Sequence, residues 1–191
     1  MWDSLAEAAA PAHVARVLDA VRLARPGCGG LFLVAVDGHS GSGKSTLARS
    51  VADALRCPVL RMDDFYPGWD GLAEAVRILA EQVIAPLCRG DDVTVPTWDW
   101  VADRPGPPMT VSHTDRLVVD GVGSTVRPAG EHAAVRVWVE ADAETRYRRA
   151  IARDGDAFVP HWDRWADQEA AVFAADHPRS RADVIIDTST L

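Results

Sequence analysis

Lysine is nearly absent from this chain: 19 arginines carry the positive charge, and a single lysine stands at position 44. Long apolar runs are absent as well. No stretch approaches the roughly 20 residues that cross a bilayer, so no membrane partner is expected. Cysteine is scarce. Cys28, Cys57 and Cys88 are odd in number and include no C-x-x-C pair, so buried or incidental thiols are expected rather than a disulfide frame or a zinc site. Basic clusters are missing apart from a short arginine group near position 149, and the net charge is −8. That balance argues against a sequence-independent grip on nucleic acid and makes small molecules the expected partners. The N-terminal stretch lacks the basic flank and unbroken apolar core of a secretory signal, so a cytoplasmic location is expected.

What is present is globular: 191 residues, 48% hydrophobic and 25% charged, enough for one domain with its own core. No repeat or low-complexity tract breaks it. Apolar spacing predicts an N-terminal helix over about 11–25, within a leading segment 1–28, ended by "RPGCGG". From residue 31 to 191, buried-strand runs alternate with helical periods. "LFLVAV", "CPVLRM", "RLVVD", "VRVWVE" and "ADVIID" read as strands; "KSTLARSVADAL", "LAEAVRILAEQVIAPL", "DAETRYRRAIARDG" and "DRWADQEAAVFAAD" read as helices. "DVTVPTW" reads as an extended segment and 101–114 as a loop. Alternation of this kind predicts a three-layer α/β/α fold around a mostly parallel five-stranded sheet.

The lone lysine lies in "LFLVAVDGHSGSGKSTLARS". Gly38, Gly43, Lys44 and Ser45 fit G-x-x-x-x-G-K-[ST], with a strand before and a helix after, as a phosphate-binding loop requires. Glycines let backbone N–H groups turn around phosphate oxygens, and the helix start adds unpaired donors and a positive dipole end. Gly38, Ser40, Gly41, Ser42, Gly43, Lys44, Ser45 and Thr46 are therefore the expected ATP contacts. Lys44 serves the β and γ phosphates, and Ser45 offers its hydroxyl to Mg²⁺. "DGVG" at 120–123 matches D-x-x-G, but the second lysine that accompanies guanine recognition does not exist here. Transfer of the phosphoryl group to a small acceptor fits better. It needs carboxylates at the C-terminal ends of strands beside the P-loop. Asp63 and Asp64 follow one such strand and Asp120 another. Either Asp63 or Asp64 can serve as base on sequence grounds, and Asp120 is the expected second metal contact.

At these motifs the chain resembles the uridine-cytidine kinases and their phosphoribulokinase and pantothenate kinase relatives. "VAVDGHSGSGKST", "MDDFY", "VTVPTWDWVADR", "LVVDGVGS" and "VEADAETRYRRAIARD" are similar to that family's successive motifs over about residues 31–187. The resemblance implies an ATP- and Mg²⁺-dependent kinase with a hydroxyl acceptor, of uridine kinase type. It implies Asp63 as catalytic carboxylate and a lid over about 145–165, whose Arg146, Arg149 and Arg153 contact phosphate. Arg149 takes a catalytic part and Arg153 a nucleotide contact. Tyr66, Asp70, Trp98, Asp99 and Arg104 are implied around the acceptor, and a homodimer is compatible with it. The departures concern the acceptor: Asp103 stands where the nucleoside kinases place a base-reading histidine, and the lid is short and rich in tryptophan. A non-nucleoside acceptor (sugar, vitamin precursor or antibiotic) and a nucleotide-binding regulator without acceptor chemistry both remain open.

Overall fold

The computed structural model describes residues 8–189; residues 1–7 of the leading segment and the last two of the core lie outside the described residues. In chain order the main elements are α1 (Pro11–Leu23), β1 (Phe32–Asp37), α2 (Lys44–Leu55), β2 (Val59–Arg61) and α3 (Leu72–Ile78). A π-helical stretch (Leu79–Ile84) joins α3 to α4 (Ala85–Cys88). Then come β3 (Val93–Asp99), β4 (Arg104–Val111), β5 (Arg116–Asp120), β6 (Val135–Glu140), α5 (Ala143–Asp154), α6 (Trp162–Asp176) and β7 (Val184–Asp187).

Five strands form one sheet in the order β2, β5, β1, β6, β7, every neighbouring pair parallel. Parallel neighbours need crossovers, so helices cover both faces and the strands read as continuous apolar runs. Successive side chains on a strand point to opposite faces, and β1 divides accordingly. Leu33 and Ala35 share a cluster with Leu117 and Val119 of β5, Leu72 of α3 and Leu79 of the π-helical stretch. Val34 and Val36 pack on the other side with Val118, Val137, Val17 of α1, and Leu47 and Val51 of α2. Burying each such valine or leucine side chain contributes about 1.5–3 kcal/mol.

Three features differ from the expectation. Residues 101–114 are not a loop throughout, because β4 pairs antiparallel with β3 in a separate two-stranded ribbon. Pro105, Pro107 and Pro108 disguise that strand, since each lacks a ladder donor; an edge ribbon tolerates them. The pairing register shifts between Val95 and Thr97, and the Thr97 hydroxyl donates to the Pro107 carbonyl at 2.7 Å. The helix after residue 71 is continuous but widens to π geometry over its middle. Finally, Cys28 and Cys88 are joined as a disulfide with Cα atoms 5.2 Å apart, and only Cys57 is a free thiol among the described cysteines. Sixty residues of sequence separate the pair, so no spacing rule could have linked them.

Candidate active site

The sheet order brings the expected site together. β5 lies between β1 and β2, with Asp120 in register with Val36 on one side and Arg61 on the other. Asp120 therefore ends the strand between the P-loop, which leaves β1, and Asp63, which follows β2 in a 3-10 turn (Met62–Asp64).

The P-loop follows Asp37 and closes at Lys44, the first residue of α2. Gly38, Gly41 and Gly43 all hold positive φ. Gly41 also has no room for a side chain, since a Cβ there would lie 2.1 Å from the Arg146 carbonyl oxygen of α5. The lysine Nζ donates to the His39 carbonyl at 2.9 Å, folding back across its own loop. Ser42 is fully buried and its Oγ has no hydrogen-bond partner. Thr46 accepts from the Ser50 hydroxyl through its carbonyl within α2.

Asp120 is 3% exposed and its Oδ1 has no hydrogen-bond partner. Burial, reinforced by the Asp63 charge, raises its pKa to about 6 against the pull of Lys44, the Ser45 hydroxyl and Arg61. An unsatisfied carboxylate oxygen beside a serine hydroxyl is a hard-oxygen donor set, which suits Mg²⁺. Asp63 is 40% exposed at its side chain and lies 3.4 Å from Arg61 Nη2. Its carbonyl is held by Trp100 Nε1 at 2.8 Å. Asp64 instead lines a separate groove of about 320 Å³ with Pro58, Val59 and the β4 residues Met109 to Val111; burial raises its pKa. The two adjacent aspartates thus face different surroundings.

The arginines expected in a lid are engaged within the chain. Arg149 donates to Thr188 Oγ1 and the Thr188 carbonyl at 2.9 and 2.8 Å. Arg153 forms a fork with Asp154, within the electrostatic reach of Asp63 and Asp120. Arg146 donates to the Ala141 carbonyl. Among the residues expected around an acceptor, Tyr66 is buried and spends its hydroxyl on the Val122 carbonyl at 3.0 Å. Asp70 pairs with Arg164 of α6. Asp99 caps the turn after β3 by accepting from the backbone N–H groups of Val101 and Ala102 at 3.0 Å each. Arg104 stands opposite Asp99 in the ribbon. Trp98 Nε1 is buried without a partner. Trp69 stacks on His161 with ring centroids 4.2 Å apart and planes 9° from parallel, and it also touches Trp100 and Phe158. The short turn before α6 therefore closes on Trp69 as an aromatic stack.

Three residues that the sequence did not single out hold the site together. Asp37 is wholly buried; it accepts from Gly38 N, Gly123 N, Thr125 N and Thr125 Oγ1 at 2.7–2.9 Å. This fastens the P-loop's start to the turn after β5. Glu169 of α6, 1% exposed, accepts from Ser40 N at 2.8 Å and Trp165 Nε1 at 3.0 Å, and its other oxygen meets His39 Nδ1 at 2.7 Å. Thr188 donates to the Ser42 carbonyl at 2.8 Å while receiving Arg149. Only Asp37 left a trace in the sequence, as an acid directly before the first P-loop glycine. Glu169 and Thr188 are distant in the chain and ordinary in type.

A scan against protein-family models finds no match. Among curated proteins, the chain is 27% identical over 169 residues to a cytidylate kinase of Methanococcoides burtonii, covering 83% of this chain and 88% of that one. Among solved structures it is similar to a possible uridine kinase from Bacillus stearothermophilus, with TM-score 0.66, 21% identity, and 92% and 98% of the two chains covered. A candidate fructose transport system kinase from Silicibacter sp. TM1040 follows at TM-score 0.57 and 20% identity, covering 91% and 98%. The chain has the α/β fold of the uridine kinase-like P-loop kinases.

Proposed function

We propose that the protein is an ATP-dependent kinase that transfers the γ-phosphoryl group to a hydroxyl of a small acceptor. The observation that carries this reading is the row of Asp63, Asp120 and the Lys44–Ser45 end of the P-loop across three adjacent strands. A regulator that only binds nucleotide has no need of a second, solvent-reachable carboxylate beyond Asp120.

The P-loop N–H groups from Gly41 to Thr46 hold the phosphates, and Lys44 leaves the His39 carbonyl to neutralise charge on the β and γ groups. Ser45 and Asp120 would hold Mg²⁺, which neutralises phosphate charge when bound. Asp63 accepts the proton of the attacking hydroxyl; its exposure gives the acceptor access, and Trp100 fixes its backbone. Arg149 and Arg153 lie on α5 above the P-loop and close on the transferred group by exchanging their present partners.

Uridine or cytidine is the first acceptor to test. A second reading, a non-nucleoside acceptor, is favoured by one observation: Asp70 and Asp99, the carboxylates expected at the acceptor, are already engaged by Arg164 and by the turn backbone. ADP release from Mg²⁺-ATP is measured against uridine, cytidine, CMP, sugars, pantothenate and hydroxylated antibiotics, with Asp63→Asn alongside. Acceptor-stimulated turnover that falls roughly 100- to 10,000-fold in the variant, with ATP binding retained, supports the mechanism, and the stimulating compound names the class. Stimulation unchanged in Asp63→Asn removes Asp63 as base.

A further inference from the structure

We propose that Cys28, Cys88 and His132, with the disulfide reduced, form a binding site for a zinc-class divalent ion at the end of the sheet opposite the P-loop. Cys28 lies in the turn before β1, Cys88 ends α4, and His132 ends the 3-10 turn (Ala129–His132) that leads to β6. All three therefore sit at the N-terminal side of parallel strands whose C-terminal ends carry the kinase-like site. Their ligand atoms lie within 4.8 Å of one another, and each residue is half-buried.

The stretch "PGCGG" shows how tightly Cys28 is seated. A Cβ at Gly27 would lie 2.1 Å from the His132 carbonyl oxygen, and one at Gly29 would lie 1.7 Å from the Cys88 carbonyl oxygen. Side chains at either position would push Cys28 away from one of its neighbours. A disulfide requires only the approach to Cys88. The same turn also runs against the His132 backbone, and the His132 ring nitrogen lies within 4.8 Å of both sulfurs, a third ligand that the disulfide does not use.

Two thiolates and an imidazole are a soft-to-borderline set that suits a d¹⁰ ion, with water in the fourth position on the exposed side. Reduction by a phosphine breaks the S–S bond: the phosphine loses two electrons and becomes its oxide with oxygen from water, and two thiols form. Binding then displaces both thiol protons, so two protons leave per ion and affinity rises with pH.

The test uses the full chain, reduced with a phosphine and freed of metal. Titration with Co²⁺ should give a tetrahedral d–d spectrum with thiolate charge transfer, and Zn²⁺ should displace it at one ion per chain with release of two protons. Cys28→Ser/Cys88→Ser should abolish the spectrum. His132→Asn should weaken zinc binding by at least about tenfold, and thermal unfolding of the metal-free form, unchanged from wild type, shows that the variant is folded. Reduced wild type that binds no more metal than the double-serine variant overturns the proposal. So does His132→Asn that binds zinc as tightly as wild type, because the cysteine pair alone then accounts for the binding.

Discussion

Asp120 shows at the residue scale how a site is maintained against stability. A buried acid whose pKa is raised to about 6 from 3.8 holds its proton more tightly in the folded chain than in the unfolded one. The sign follows: folding costs nothing extra below pH 3.8, the penalty grows between 3.8 and 6, and above 6 it is constant. Roughly two pKa units correspond to about 3 kcal/mol as an upper bound. Asp120→Asn should therefore stabilise the metal-free protein at pH 7.5 by about 1–3 kcal/mol in urea unfolding, with the gain gone near pH 3.8. The same substitution should weaken Mg²⁺ binding. Wild-type Mg²⁺ affinity should fall as pH drops through about 6, as the carboxylate takes up its proton. Lys44→Ala tests the opposite charge, and a loss of turnover of at least about 100-fold is expected, because no other lysine or arginine stands in the P-loop to replace it. Turnover within tenfold of wild type would take Lys44 out of the transition state.

Helix α6 matters at the scale of elements. It bridges the P-loop, through Glu169, and the proposed acceptor side, through Trp165, whose ring meets Tyr66 edge-on at 4.9 Å, and Gln168, which donates to the Trp69 carbonyl. Burial opposes the Glu169 charge, but His39, Lys44 and the Ser40 N–H together hold its pKa below 4.5. Its stabilisation is thus present above pH 4.5 and is lost as pH falls through the lowered value. Glu169→Ala strands Ser40 N–H and Trp165 Nε1–H in a buried place, at about 1–3 kcal/mol. Glu169→Gln keeps an acceptor and should recover part of that. If α6 also sets P-loop geometry, the alanine variant raises KM for ATP and the glutamine variant restores it; KM unchanged in both leaves Glu169 purely structural. The same contrast explains what the sequence could disclose. Strands and helices with strong local periods, and the P-loop with its flanks, are legible because their signals are local. β4 was hidden by its three prolines, and the π stretch by a helix-like pattern that does not record hydrogen-bond spacing. Glu169 and Thr188 act on the P-loop from 129 and 146 residues away, so only the folded chain reveals them. For Tyr66, Asp70 and Asp99, the family resemblance implied the acceptor side, while their present partners are a product of packing.

At the scale of the molecule, the P-loop is the point where every layer meets. Asp37 ties it to the turn after β5, Gly41 abuts α5, Glu169 ties it to α6, and Thr188 ties it to the end of β7. A ligand that fixes this loop therefore acts on contacts from four elements, and its binding energy should appear in the stability of the whole domain. Nucleotide at 100 times its Kd adds about 2.7 kcal/mol, which for a chain of this size raises Tm by roughly 5–10 °C. Four of the seven tryptophans, Trp69, Trp100, Trp162 and Trp165, lie in the proposed acceptor and lid segments, whereas far-UV circular dichroism is dominated by the helices throughout. Fluorescence and dichroism should then report one coincident transition, shifted together by Mg²⁺-ADP. If fluorescence changes first and is insensitive to nucleotide, the lid and acceptor segments open independently of the P-loop, and the Glu169 strut does not couple the two halves of the site.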